Sequence, residues 1–221
     1  MANIQQGGFR PWGSLSMGKG HFGNPFVQEV ASSYGTQLSK YDIIIGVSDG
    51  TVAIGAAANN GLLLGVIIGC SYVFQGVRKL ADFIPATTAF SPTTVGSANA
   101  SLVEYLPLTG DLVMEVDADE ATTFSTYATA LGAIGENADI ASPGSPSTTI
   151  GVSTMCLDIS THATSTLNFR IVGVQGYTLE SAGLLSGLKL SNRRGTALHY
   201  MAHLLATQRP EVRYIYIINI I

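Results

Sequence analysis

Residues 41–74 constrain the fold more than any other stretch. Tyr41-Asp42-Ile43-Ile44-Ile45-Gly46-Val47 is a short apolar run of β-branched residues. Ser48-Asp49-Gly50 follows, and Asp-Gly tolerates the positive φ of a tight hairpin turn. Thr51-Val52-Ala53-Ile54 then pairs back, Asn59-Asn60-Gly61 supplies a second turn of the same chemistry, and Leu62 to Ile68 and Cys70 to Phe74 form a strand bent at Gly69. Runs this short, cut by turn residues, are too brief for helices and predict an antiparallel meander.

The same logic carries on down the chain. Leu102-Val103-Glu104-Tyr105 restarts a strand after a Thr/Ser/Ala/Pro-rich loop over 85–101. In 111–117, Leu112, Met114 and Val116 alternate with Glu115 and Asp117, so one face is apolar and the other polar. Met155, Leu157 and Ile159 oppose Asp158, and Leu167, Phe169 and Ile171 oppose Asn168 and Arg170. Tyr127 to Ile134 lacks alternation and predicts a short helix ended by Gly135; Ala197 to Ala206, bounded by Pro210, predicts a second. Segments 27–40, 142–147 and 178–195 read as mostly loop, the first with room for one short strand, and no fixed-period repeat is present. The fold class is mainly β: a β-sandwich or β-barrel, jelly-roll or tulip-like, with long loops and one or two short helices.

Both ends of the chain stand out. In residues 1–26, Gly7, Gly8, Gly13, Gly18, Gly20 and Gly23 alternate with Phe9, Pro11, Trp12, Phe22, Pro25 and Phe26. Glycine at this density defeats helix and weakens strand, while the aromatic rings favour burial. The expectation is an extended arm over 1–26, lying on another surface or on its own domain, ahead of a single domain over 27–221. Residues 212–221 are apolar on both faces, which belongs in a covered position: an interior strand, or one that pairs with another subunit. Phe9, Arg10, Pro11, Trp12, Phe22, Phe26, Tyr214, Tyr216, Ile218 and Ile220 are therefore the candidate interface. On this reading, deleting 1–26 or 212–221 weakens assembly more than it weakens folding.

Composition narrows the function. Only 12% of residues are charged against 46% hydrophobic, which excludes disorder for the whole chain and leaves few charges to cover a surface. A homo-oligomer, dimer or trimer, is the expectation. The net charge is −4, and the densest basic pairs are Arg78-Lys79 and Arg193-Arg194, so the footprint of a nucleic-acid binder is missing. The apolar run at 62–68 is too short for a bilayer-spanning helix, and the first residues lack the basic-then-apolar order of a secretory signal. The Asn99-Ala100-Ser101 sequon then carries little meaning. Cys70 and Cys156 sit inside apolar strand-like runs and read as buried free thiols, although spacing alone leaves a disulfide open.

No motif for chemistry emerges. His199 and His203 are spaced for one helix face, but Tyr200 stands where a zinc-protease motif needs Glu, and no third ligand is near. Asp117, Asp119 and Glu120 lack the spacing and central Gly of a calcium loop and read as a solvated acidic turn. Neither a Gly-x-Ser-x-Gly elbow nor a phosphate-binding glycine loop occurs, and His21 and His162 have no evident partner. The reading is a non-enzyme with no cofactor or metal.

Four stretches carry a resemblance: Gly8-Phe9-Arg10-Pro11-Trp12; Leu64-Gly65-Val66-Ile67-Ile68-Gly69-Cys70-Ser71-Tyr72; Leu112 to Asp119 with Gly135-Glu136-Asn137-Ala138-Asp139; and Leu157 to Thr161 with Leu167 to Val174. In order and character they resemble the head decoration, or cement, proteins of tailed bacteriophages. The resemblance covers most of residues 8–175; the segment from Asn192 onward departs from it. It implies a structural virion protein on the capsid exterior, made in the host cytoplasm. Its partner would be the major capsid protein, with no nucleic acid or membrane. Alternatives of another kind are a tail, fibre or baseplate component, and a carbohydrate-binding β module.

Overall fold

The computed structural model describes residues 7–20, 22–32, 34–55, 63–86, 96–118, 127–141, 151, 153–163, 167–177 and 211–219. The meander forms as the turn chemistry dictates. β5 (Ile43–Gly46) and β6 (Val52–Ile54) are joined through Gly50, at φ 84°, and Asp49 Oδ1 accepts from the Thr51 N–H at 3.0 Å and its hydroxyl at 2.5 Å. β7 (Leu63–Phe74) runs antiparallel to β5 and to β10 (Leu102–Pro107). The expected second turn at 59–61 lies outside the described residues.

β3 (Phe26–Glu29) completes a six-stranded sheet in the order β3-β10-β7-β5-β6, with β8 (Val77–Ala81) added to the far end of β7. The β7–β8 hairpin turns through Gln75 at φ 52° and Gly76 at φ 76°, a primed turn that suits the strand twist. β4 (Leu38–Ser39) and β9 (Phe83–Ile84) make a small separate pair.

The seven-stranded sheet has the order β13-β12-β14-β15-β11-β1-β2. Its members are β1 (Arg10–Ser14), β2 (Gly18–Lys19), β11 (Leu112–Val116), β12 (Asn137–Ile140), β13 (Leu157–Ala163), β14 (Phe169–Tyr177) and β15 (Glu211–Asn219). The Leu157 N–H donates to the Asp117 carbonyl at 2.9 Å, and Ala118 bridges Leu157. The start of β13 thus returns to the end of β11. The hydrogen-bonded path through β11, β15, β14, β12 and β13 returns on itself through this one bridge, forming a ring, while β1 and β2 extend the sheet from β11.

The two large sheets share one core. Ile43, Val66 and Leu106 of the six-stranded sheet meet Met114, Val116, Ile140, Leu157, Ile159, Phe169 and Ile171 of the ring, with Ala130 from the short helix α1 (Tyr127–Gly132) and Ala133 just after it filling in. The opposite face of the six-stranded sheet is also covered. Ile44, Ile67, Cys70, Val103 and Tyr105 pack against Leu38 and Ile84 of the small pair. This is why the 43–45 and 66–68 runs are apolar at consecutive positions rather than alternating. Register shifts in β7 opposite β5 and β10 re-aim its side chains between these layers. Both cysteines are buried thiols outside any disulfide, as expected.

The N-terminal segment differs from the expected arm. Phe9 is fully buried, its ring 5.2 Å from that of Phe169, and β1 pairs with β11 from Arg10↔Glu115 to Ser14↔Leu112. Residues 10–19 are a hairpin on the sheet, not an arm. Two forces draw them in: burying the ring contributes about 1.5–3 kcal/mol, and β11 offers an otherwise open row of backbone donors and acceptors. β15 takes the interior position, between β14 and β11. Asn168, expected on the polar outer face, is buried because its amide donates to Asp139 Oδ1 at 2.6 Å. The expected helix at 197–206 lies outside the described residues.

The position of Phe9 reverses the expected effect of truncation. Phe9→Ala should lower stability by about 3–5 kcal/mol, the usual loss for a large core aromatic. Urea denaturation measures it; a change below about 1 kcal/mol would mean that the segment is a peripheral arm after all.

Candidate functional site: exposed strand margins and a buried carboxylate joint

The residues expected at an interface fall into three groups. Phe9 is enclosed in the core. Arg10 reaches across to Glu115 at 3.9 Å and Asp117 at 4.0 Å, and Pro11 and Trp12 are half-buried, with the Gly20 N–H donating to the Trp12 carbonyl at 2.9 Å. Phe22 and Phe26 are exposed, and Phe26 stacks on Tyr105 with centroids 6.0 Å apart. Tyr214, Tyr216 and Ile218 occupy β15, where Tyr216 is the Cα partner of both Glu115 and Gly173. Ile220 lies outside the described residues.

A second set of exposed apolar side chains was not anticipated. Leu80 is 88% exposed, Val77 62% and Val27 60%. They lie on β8 and β3, the strands at opposite margins of the six-stranded sheet. Cross-strand registers Leu80↔Ser71, Ser71↔Leu102 and Leu102↔Glu29 put Leu80, Leu102 and Val27 on one face, opposite to Val103 and Cys70. Arg78 fixes this end of the sheet. Its guanidinium donates to Ser71 Oγ at 3.1 Å, the Ala98 carbonyl at 3.0 Å and the Ala100 carbonyl at 3.1 Å. Lys79 lies 4.8 Å over the Phe74 ring. Gln75-Gly76 was the readable sign of this hairpin, since a polar residue followed by Gly between two strand-like runs is turn chemistry.

Among the described residues the most buried carboxyl group is that of Asp42. Its Oδ2 accepts from the Ser39 N–H at 2.7 Å and its Oδ1 from the Ser153 hydroxyl at 2.5 Å. Four segments converge on it. The Asp42 carbonyl accepts from the Ile67 N–H at 2.9 Å, and the Tyr41 carbonyl accepts from the Phe9 N–H at 2.8 Å. Ser153 Oγ also accepts from the Met155 N–H at 3.2 Å. Gly8, at φ 72°, packs so tightly that a Cβ there would lie 2.6 Å from both Ser153 Oγ and the Tyr41 carbonyl. Burial pushes the Asp42 carboxyl up to about 6, outweighing the two hydrogen bonds that favour its ionised form. Burial, with Asp42 and Asp82 nearby, pushes the Cys70 thiol up to about 12, so it is a poor nucleophile.

The remaining sequence candidates fall apart in space or outside the described residues. Asp117 serves the Arg10 pair, while Asp119, Glu120, His21, His199 and His203 lie outside. His162 does have a partner: Nδ1 contacts Glu136 Oε2, tying β13 to the segment before β12. Among the described residues, no group of three His, Cys, Asp or Glu converges as a metal-ligand set. No described helix is long and apolar enough to cross a membrane. Compared with protein-family models, curated proteins and solved structures, the chain matches none. The architecture defines the class: an antiparallel β protein whose two large sheets pack about a shared core.

The Asp42 joint gives a signed pH dependence. The folded carboxyl keeps its proton to a higher pH than the unfolded chain does, so unfolding releases a proton between pH 4 and about 6. Its contribution to stability falls as pH rises through that window and levels off above it, by about 3 kcal/mol in all. Asp42→Asn removes this ionisation and can still accept from the Ser39 N–H while donating to Ser153. The stability of Asp42→Asn relative to wild type should therefore climb between pH 4 and 6.5. Parallel urea titrations check this; a constant difference across the window would contradict the buried, ionisable joint.

Proposed function

We propose that the chain is a structural protein of a tailed-bacteriophage head, bound to the capsid exterior, where it bridges major capsid subunits and stabilises the shell. The observation that carries the reading furthest in the fold is the set of exposed aliphatic side chains at the two margins of the six-stranded sheet. Val27, Val77 and Leu80 present isolated aliphatic side chains at strand margins, and the chain as a whole has few charges with which to keep such surfaces apart. The resemblance of four stretches over residues 8–175 to decoration proteins supplies the identity of the surface they would meet. A net charge of −4 favours the outside of a shell over its DNA-facing side. Modest contacts repeated over an icosahedral lattice add through effective concentration, so no single site needs to bind tightly.

The test is binding of the purified chain to heads of the phage that encodes it, followed by co-sedimentation. Leu80→Ser removes one exposed aliphatic contact without touching the core and should weaken binding about tenfold, the equivalent of roughly 1.4 kcal/mol, with an unchanged melting temperature. Val27→Thr, which keeps a β-branched residue on β3, should act in the same direction. Wild-type chain that remains in the supernatant would overturn the proposal, and binding to tails instead would move the protein to the fibre or baseplate.

A further inference from the structure

β15 closes the ring by hydrogen bonding along both edges. It pairs with β14 from Phe169↔Asn219 to Tyr177↔Glu211 and with β11 from Val113↔Ile218 to Val116↔Ile215. Without it, β14 keeps the pairing Asn137↔Arg170 and Ala138↔Phe169 to β12 and the Ile171 backbone bonds to Gly135 and Glu136, while β11 keeps β1 and the link to Leu157 at its end. The gap left behind is bounded by two strand edges of fixed register, antiparallel to the same incoming segment. It is a socket specified for residues 211–219.

The connection to that socket is unusual. Tyr177 and Glu211 are Cα partners, so a hairpin of about two to five residues would join them. Residues 178–210 stand between them instead. Fully extended, a connection of that length reaches roughly 100 Å. That exceeds the diameter of about 45 Å expected for a compact chain of this size. The backbone hydrogen bonds of β15 are the same whether the strand comes from its own chain or from another. The closed and exchanged forms then differ chiefly in the chain entropy of the connection, and doubling a loop's length changes that term by only about 0.6 kcal/mol.

We infer that β15 is an exchangeable strand: a second copy of this chain can seat its residues 211–219 between β11 and β14 of the first, in the registers seen here, and so link the two copies. The occupant is a second copy because the socket demands two ladders at once, of the lengths and registers that this segment already satisfies. An unrelated strand could add to a free edge but would have to match both sides to close the ring. Sequence agrees with a strand that needs cover on both sides: Tyr214-Ile215-Tyr216-Ile217-Ile218 has no charge and would be a template for aggregation if it were left on an edge. This inference does not rest on the proposed head location.

Complementation between two full-length variants tests it. Ile217→Pro damages the donated strand and leaves the socket intact, because proline removes a ladder donor from an interior strand. Ile171→Pro damages β14 of the socket and leaves the donor intact. Each variant, refolded alone from denaturant, should give little soluble folded protein. Refolded together as differently tagged chains, they should give several times the summed yield of the separate reactions. Both tags should co-elute as a dimer in which one unit is complete and the other carries both prolines, and a wild-type-like melting transition absent from either variant alone should appear. A mixture that recovers no more than the separate reactions would overturn the inference, as would either variant refolding alone to wild-type yield. The experiment uses only purified chain, so its failure leaves the capsid proposal standing.

Discussion

The hydrogen bonds of the Asp42 carboxylate hold together segments that are far apart in sequence. Ser39 belongs to the small pair that covers one face of the six-stranded sheet; Ser153 leads into the strand that closes the ring; the Asp42 backbone itself pairs with β7. Phe9 is brought to the core through the neighbouring Tyr41 carbonyl. A single buried acid therefore sets the distance between layers that hydrophobic packing alone would leave free to slide, since packing is non-directional and hydrogen bonds are not. The same burial makes it costly to ionise, so the fold is most stable where the carboxyl is protonated, although its two hydrogen bonds favour the ionised form.

From that joint outward the arrangement follows. A strand covered on one face alternates, and the second half of β11 does so, with Met114 and Val116 inward and Glu115 toward Arg10; Val113, on the other face, is buried as well. A strand covered on both faces cannot alternate, and β5 and β7 do not. The few charges in the chain are largely used to fix margins. Asp111 accepts from Ser14 and Ser16 at the β1–β2 turn, which holds its carboxyl below its usual range, and Arg78 staples β8 to the start of β10. Between these charges the margins of the six-stranded sheet expose Val27, Val77 and Leu80, and it is on them that the proposed attachment to a shell depends.

Much of this was legible in the sequence, and the reason is local. Asp49-Gly50 and the alternation of 112–117 are short-range signals, as is the Gly135 stop, which appears at φ 94° after the helix. The mainly β class follows from them. The N-terminal segment packs on its own domain, one of the two placements its glycines and aromatic rings left open, and the choice is made by β11, far along the chain. β8 and the Leu80 margin were passed over because Val77-Arg78-Lys79-Leu80 has no apolar alternation; an edge strand exposed on both faces leaves no such pattern. Asp42 read as one polar residue within a strand. Its burial depends on Ser39 and Ser153, which no spacing rule connects.

The most direct measurement is cryo-EM of purified virions of the tailed phage proposed to encode this chain, with the icosahedrally averaged head density searched for the two-sheet fold. The proposal predicts the domain on the outer surface, bridging capsid subunits, with the face carrying Val27 and Leu80 against the shell. Head density that is fully explained by the major capsid protein, with no room for this domain, would contradict it.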